Sequence, residues 1–256
     1  MVIKQWQVNP SLRVAVIDDS QEYAQFAADC VCRVLQAKPA AVLGLATGSS
    51  PIGLYKELIA RYKSGRIDFS QVRTFNLDEY VGLPPEHPQS YRYFMEENLF
   101  RHVNVKPENI HIPSGTNTDL SKEAENYAQL LATYGPVDLQ VLGLGGNGHI
   151  GFNEPGTPFS SRTHVVQLAE STIEANSRFF TSKEQVPRQA VTMGVADIMA
   201  AREIMLLASG EQKEQAIKAA LEGEVTPQVP ASVLQTHNNV TVILDPAAAA
   251  LLDCIK

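Results

Sequence analysis

Short, largely apolar segments that alternate with amphipathic ones constrain the fold of this chain most strongly. Residues 40–46 (AAVLGLA) and 138–144 (DLQVLGL) carry apolar side chains on both faces of an extended chain, which is typical of parallel strands covered by helices. The pattern of apolar residues, together with the turn-forming residues between segments, predicts further strands at 12–17, 72–77, 163–168, 190–193, 203–208 and 239–244.

Helical periodicity fills the intervals between these strands. We predict a first helix capped by Ser20, a second opened by Pro51, and a third capped by Ser90 that continues to Val103. Two more are predicted at 120–133 and 211–221. Strands that alternate with helices indicate an α/β fold with a mostly parallel sheet and right-handed crossovers. Since no linker or internal repeat interrupts the pattern, we expect one domain over residues 1–256 instead of two small ones.

Composition excludes several classes of protein. With 21 basic and 28 acidic residues, the net charge is −7 and the pI about 5.4, so we expect no nucleic-acid partner. No apolar run approaches the ~18 residues of a membrane span, and residues 1–10 lack a signal-peptide core, so we expect no membrane partner and a cytoplasmic protein. Three cysteines, Cys30, Cys32 and Cys254, lack metal-ligand spacing and are interpreted as reduced structural thiols.

The residues that follow the first doubly apolar strand suit an anion. Thr47, Gly48, Ser49 and Ser50 form a small, hydroxyl-rich segment that leads into a helix. Free backbone N–H groups at the positive end of a helix dipole bind phosphate. A serine-capped helix without a ligand is the alternative. A nucleoside triphosphate is disfavoured because no Gly-Lys-Ser/Thr follows.

Two adjacent carboxylates, Asp78 and Glu79, follow the strand at 72–77. Ligands of such sheets bind beyond the carboxyl ends of the strands. Because side chains alternate along an extended chain, one of the two must turn towards the crevice and could act as a general base. Acidic residues also begin ordinary turns, so the pattern alone does not choose between these interpretations.

A glycine-rich segment follows the strand at 138–144 and carries Asn147, His149 and Glu154. Its match to the dinucleotide pattern G-x-G-x-x-G is interpreted as incidental, because glycines and prolines further on oppose the helix that the pattern requires. Glycines allow the backbone to approach a ligand, and Glu154 is close enough to orient the imidazole. We expect no metal and no cofactor, since only His149 and Glu154 are obvious ligands.

Two cations are candidates for holding an anion. Lys213 falls in the first turn of a predicted helix, where the dipole disfavours a positive charge unless an anion is bound. Arg178 could be a second clamp, although an ordinary surface arginine would also explain it.

Five ordered segments together resemble the glucosamine-6-phosphate deaminase family. They are LATGSSPIGLYKELI (45–59), TFNLDEYVGLPPEHPQSYRYFM (74–95), LGLGGNGHIGFNEPG (142–156), ANSRFF (175–180) and SGEQK (209–213). The resemblance implies a single Rossmann-like α/β domain with helices on both faces of the sheet. It also implies a hydrolase of amino-sugar catabolism that converts glucosamine 6-phosphate and water into fructose 6-phosphate and ammonia without a cofactor.

The resemblance also implies roles for individual residues. Asp78 would move a proton between carbons 2 and 1 through an enolamine, and the choice of Asp78 over Glu79 comes from the family alone. His149 would open the pyranose ring, with Glu154 orienting it and Asn147 as the third member of that group. The family's phosphate-binding positions match Thr47, Gly48, Ser49, Ser50, Arg178 and Lys213.

Departures from the family lead to one more expectation. Members activated by N-acetylglucosamine 6-phosphate carry basic residues where this chain has His164 and Val166, so we expect weak or absent activation and no obligatory hexamer. The rival enzyme is 6-phosphogluconolactonase, which shares the fold. A sugar-phosphate sensor is the non-enzymatic alternative, but it would need a DNA-binding module that the sequence does not contain.

Overall fold

A mostly parallel sheet of eight strands forms the centre of this computed structural model, which describes residues 4–253. A second sheet has three antiparallel strands. The strands in these residues are β1 Lys4–Asn9, β2 Leu12–Val16, β3 Val42–Leu45, β4 Arg73–Asn76, β5 Asp78–Tyr80, β6 Ile110–His111, β7 Leu139–Gly143, β8 His164–Gln167, β9 Gln189–Thr192, β10 Ile204–Ala208 and β11 Val240–Leu244.

Eight α-helices connect these strands within the same described residues. They are α1 Ser20–Ala37, α2 Ile52–Lys63, α3 Tyr91–Asn98, α4 Leu120–Tyr134, α5 Glu170–Asn176, α6 Val195–Met199, α7 Glu214–Glu222 and α8 Pro246–Ala249. Their apolar stripes cover the sheet, and every residue of β3 and β10 is buried. The predicted α/β fold with a mostly parallel sheet is confirmed.

The strand order positions the functional site. The large sheet runs β1-β2-β11-β10-β7-β3-β4-β6, and all its pairs are parallel except β1 with β2. From β3 the chain continues to β4 on one side, whereas from β7 it continues to β10 on the other. The crossovers therefore reverse direction between β3 and β7, and such a switch point opens a crevice at the carboxyl ends of the strands.

Local predictions near the first and third helices are corrected by the structure. Asp19, not Ser20, caps α1: its backbone is extended, and its carboxylate accepts the N–H of Glu22 at 2.8 Å. Ser90 does cap α3 by accepting the N–H of Tyr93. That helix ends at Asn98 instead of continuing to Val103, because Leu99 leaves helical geometry and a 3₁₀ turn follows.

Residues that follow β4 also differ from expectation. Asp78–Tyr80 was expected only to follow a strand, but it is itself a strand, because the chain leaves the parallel sheet at Leu77 and pairs antiparallel with β9. The predicted strands at 163–168 and 190–193 exist, yet they belong to this small sheet with β5. The helix predicted to begin at Glu211 starts as a 3₁₀ turn, and α7 proper begins at Glu214.

Two further findings concern membrane-spanning helices and the cysteines. None of the helices in residues 4–253 is long and apolar enough to span a membrane. Cys30 and Cys32 are free thiols, whereas Cys254 lies outside the described residues.

Candidate active site

A cavity of about 450 Å³ occupies the switch point of the sheet. The segments after β3 and β7 form two of its walls, the segment around β5 and the start of α3 a third, and the 171–180 region covers it. Of the residues predicted to form a site, all except Glu154 line this cavity. The volume suits a ligand of a few hundred cubic ångströms, which includes a hexose monophosphate.

The segment from Thr47 to Ser50 presents backbone at the start of α2. Gly48 has φ +87°, a left-handed conformation that a side chain would strain. The side chain of Pro51 forms no cap to the helix. This segment therefore offers N–H groups, hydroxyls and a positive helix end towards the cavity, a combination that binds phosphate.

Two cations face the same end of the cavity. Lys213 and Arg178 both line it, and within residues 4–253 no carboxylate forms an ion pair with either. Burial lowers the pKa of Lys213, and the positive charge of Arg178 lowers it further. The ammonium group donates to the carbonyl oxygen of Leu144 at 2.7 Å. Two neighbouring cations without a counter-ion favour the binding of an anion between them.

Strand alternation separates the two adjacent carboxylates. Asp78 lines the cavity, whereas Glu79 points away from it and accepts the N–H groups of Tyr80, Tyr91 and Arg92. Asp78 is 6% exposed. Its burial, together with the negative charge of Glu79, raises the pKa of Asp78 well above that of an ordinary aspartate. A carboxylate with a raised pKa is a stronger base, so Asp78 suits proton abstraction.

The glycine-rich segment holds an imidazole against a second carboxylate. His149 Nδ1 lies 3.4 Å from Glu154 Oε2, and Asn147 Nδ2 donates to the same oxygen at 2.8 Å. Burial raises the pKa of Glu154. The interaction with His149 and the hydrogen bonds that Glu154 accepts outweigh burial and lower that pKa to about 2. Glu154 also accepts the N–H of Ala169 at the start of α5. It therefore remains ionised and places a negative charge behind His149.

Glycine at position 145 is required by the imidazole. A Cβ added there would lie 2.4 Å from three atoms of the His149 ring. The ring therefore packs directly on the backbone of the loop. No helix begins between Gly148 and Ala169 in the structure, which agrees with the interpretation of the dinucleotide pattern as incidental.

Aromatic residues that sequence reasoning missed complete the cavity wall. Tyr91 is half-buried beside Tyr80 and Thr47, and its ring stacks on Phe152 at 5.9 Å between centroids. Burial raises the pKa of Tyr80 to about 12, and Asn176 donates to the Tyr80 hydroxyl. Tyr91 begins the apolar stripe of a helix in the sequence, a position that predicts core packing, so only its contact with Thr47 reveals a role in the site.

No group of three or more His, Cys, Asp or Glu side chains in residues 4–253 could hold a metal ion. The cavity is lined by one carboxylate of raised pKa, Asp78, by an imidazole and by two cations, and a second carboxylate of lowered pKa, Glu154, lies behind the imidazole. Opposed shifts of this kind assign one carboxylate to proton transfer and the other to charge stabilisation.

Known proteins are similar to this chain in sequence. Residues 18–243 match the family described as glucosamine-6-phosphate isomerases/6-phosphogluconolactonase. A glucosamine-6-phosphate deaminase of Thermoanaerobacter sp. (strain X514) is 53% identical over 241 residues, covering 94% of this chain and 95% of that one. Glucosamine-6-phosphate deaminase 2 of Bacillus subtilis (strain 168) is 53% identical over 243 residues, covering 94% of this chain and 98% of that one.

Solved structures are similar as well. A structure described as a monomeric glucosamine-6-phosphate deaminase superposes with a TM-score of 0.92 at 45% identity, covering 93% of this chain and 99% of the other. A 6-phosphogluconolactonase from Trypanosoma brucei has a TM-score of 0.76 at 20% identity, covering 95% and 99%. At that identity the second likeness concerns the fold alone.

Proposed function

The chain belongs to the family of glucosamine-6-phosphate isomerases and 6-phosphogluconolactonases, and we propose that the cavity around Asp78 and His149 is where it deaminates glucosamine 6-phosphate. The reaction converts glucosamine 6-phosphate and water into fructose 6-phosphate and ammonia. One observation carries the assignment of the site: an anion-binding end, the Asp78 carboxylate with its raised pKa and the His149 imidazole share a single cavity, and Glu154, with its lowered pKa, lies behind that imidazole.

Phosphate binding anchors the substrate. The 47–50 segment supplies N–H and hydroxyl groups, while Lys213 and Arg178 supply positive charge. With the phosphate held by these groups, the sugar extends from them towards Asp78 and His149, which line the same cavity. Binding energy from the unreactive phosphate positions the sugar carbons against the base.

Ring opening is the task of His149. The imidazole takes the proton of the anomeric hydroxyl and returns one to the ring oxygen as the carbon–oxygen bond breaks. This exchange passes through a ring that carries a positive charge, which ionised Glu154 stabilises from behind. Asn147 holds Glu154 in place through its 2.8 Å hydrogen bond.

Proton transfer between the carbons is the task of Asp78. Its carboxylate removes the proton from carbon 2 of the open-chain sugar, and the electron pair of that bond forms the carbon–carbon double bond of an enolamine. The electron pair of the carbon 1 carbonyl bond moves to its oxygen, which takes a proton from the substrate ammonium group. The same proton is returned to carbon 1. Water then adds to the resulting imine at carbon 2, and ammonia leaves.

An assay on the purified protein tests the proposal. Incubation with glucosamine 6-phosphate should release ammonia and fructose 6-phosphate in equal amounts, without added metal or cofactor. Hydrolysis of 6-phosphogluconolactone under the same conditions should be negligible. Lactone turnover in the absence of ammonia release would contradict the proposed reaction.

The regulation of the enzyme is proposed from the sequence departures. With His164 and Val166 in place of basic residues, activation of the chain by N-acetylglucosamine 6-phosphate is weak or absent, and the chain forms no obligatory hexamer. The relative described as monomeric supports this proposal. A change from sigmoidal to hyperbolic saturation on adding N-acetylglucosamine 6-phosphate, or a hexamer by light scattering, would contradict it.

A cytoplasmic location is part of the proposal. Its support is the charge of the substrate, since a sugar phosphate does not cross a lipid bilayer unaided. Activity recovered in the membrane fraction or outside the cell would contradict it.

A further inference from the structure

Glu79 is a buried carboxylate beside the proposed base that the reaction does not use. It is 3% exposed and does not line the active-site cavity. One oxygen accepts the N–H groups of Tyr80 at 2.9 Å and Tyr91 at 2.8 Å, and the other accepts the N–H of Arg92 at 2.9 Å. Three backbone hydrogen bonds thus offset the cost of burying this carboxylate.

These hydrogen bonds join two walls of the active site. Tyr80 belongs to β5, the strand that carries Asp78, whereas Tyr91 and Arg92 begin α3. The side chain of Tyr91 contacts that of Thr47 in the proposed phosphate-binding segment. Through Glu79, the base and the phosphate-binding segment are therefore held in a fixed relation.

Dense packing does not hold the carboxylate in this position. On the side away from the active site, Glu79 borders a second cavity of about 550 Å³ between α3 and the 112–116 segment. The position of the carboxylate thus depends on its hydrogen bonds, and a substitution at residue 79 does not crowd a filled core.

The electrostatic surroundings of the two carboxylates are simple. Glu79 is the charged neighbour that acts on Asp78, and Arg92 is the cation that acts on Glu79. Other titratable groups near them are Tyr80 of β5, Tyr91 of α3, Tyr127 of α4 and His149 of the glycine-rich segment. The second cavity that Glu79 borders is also lined by Glu86, Tyr93, Glu96 and Arg101.

We propose that Glu79 is a positioning residue for the deamination: it fastens β5 to the start of α3, keeps Asp78 and Tyr91 at a fixed separation, and places a negative charge beside the base. The inference rests on the proposed function, because it takes Asp78 as the base. Glu79 itself touches no substrate. Its contribution has two separable parts, the hydrogen bonds and the charge.

Two substitutions separate these parts. Glu79→Gln keeps an acceptor oxygen but removes the charge, so Asp78 loses the neighbour that raises its pKa. The acidic limb of kcat/KM against pH, which reports the free base, should move to lower pH, and kcat should fall because the base is weaker. Glu79→Asp keeps the charge but cannot reach α3, so the limb should stay in place while kcat falls roughly 10- to 100-fold through misplacement.

Glu123→Gln is the matched control. Glu123 is a carboxylate of α4 that also accepts a backbone N–H, that of Ser114 at 2.8 Å, and it lines neither cavity. Its removal changes the net charge by the same amount and should leave both kcat and the acidic limb unchanged. Circular dichroism and binding of inorganic phosphate show that each variant is folded with its phosphate site intact.

The outcomes decide the proposal. If the pH profile of Glu79→Gln superimposes on that of the wild type, or if Glu79→Asp keeps normal kcat, Glu79 has only a structural role and the inference is wrong. If Glu79→Gln does not fold, the Glu79→Asp result alone decides. A wild-type protein that releases no ammonia overturns the proposed function instead, so the two failures are distinguishable.

Discussion

Replacing Lys213 with methionine tests the anion-binding end of the cavity. Methionine keeps an apolar side chain of similar length but removes the ammonium group. Lys213 donates one hydrogen bond to the Leu144 carbonyl at 2.7 Å, which leaves two N–H groups for a ligand. We expect Lys213→Met to weaken binding of every phosphorylated ligand while leaving the reacting groups in place.

The expected size of the effect comes from the contact that is lost. A hydrogen bond between charged groups contributes about 1.5–3 kcal/mol, which corresponds to roughly a 10- to 150-fold rise in KM for glucosamine 6-phosphate. In the absence of ligand, burial and the positive charge of Arg178 disfavour the charged form of Lys213. The negative charge of a bound phosphate counteracts both effects. We therefore expect the rise in KM to fall in the upper part of that range at low salt.

Saturation kinetics and thermal shift measure this change. KM for glucosamine 6-phosphate should rise, and stabilisation by inorganic phosphate should shrink, because it depends on ligand concentration relative to Kd. Lys218→Met is the control: Lys218 lies on α7 and pairs with Glu222 and Asp253. An unchanged saturation curve for Lys213→Met, or an equal effect of Lys218→Met, would remove Lys213 from the phosphate site.

Three other substitutions test the reacting groups. The pKa of Glu154 is about 2 against an ordinary value of 4.5. Ionised Glu154 therefore contributes on the order of 3 kcal/mol of stability above pH 4.5, which is lost as pH falls towards 2. Glu154→Gln should flatten the acid dependence of the melting temperature, and an unchanged curve would contradict this. Gly145→Ala places a Cβ 2.4 Å from the His149 ring and should lower kcat at least tenfold, and an NMR spectrum with an unmoved His149 ring would refute the reasoning. Burial and the negative charge of Glu79 disfavour the ionised form of Asp78. Asp78→Asn should therefore raise the melting temperature at pH 7 by a few degrees. A lower melting temperature would argue against a destabilising charge at this position.

Much of the fold could be predicted because its signals are local. Doubly apolar segments and helical periods located the parallel strands, and small hydroxyl or acidic residues after them located the cavity. The cap of α1 was misassigned since Asp19 and Ser20 are both good caps, and only backbone geometry distinguishes them. The single domain over residues 1–256 stays a prediction.

The rest depends on contacts between distant segments. β5 has three residues, and its pairing with β9 joins Asp78 to Thr192, which no local pattern reveals. β1 was not predicted either, because it pairs with β2 at the edge of the sheet. For the same reason, the sequence could not show that Asp78 faces the cavity while Glu79 faces α3. That choice came from the family resemblance and agrees with the alternation along β5.

Ammonia release by Asp78→Asn tests the central claim most directly. The amide keeps the shape of the carboxylate but cannot remove the proton from carbon 2. The account predicts a kcat lower by roughly 10²- to 10⁴-fold, with the affinity for fructose 6-phosphate nearly unchanged because the phosphate-binding groups are intact. Turnover close to that of the wild type would contradict it, since the base would then have to be another group.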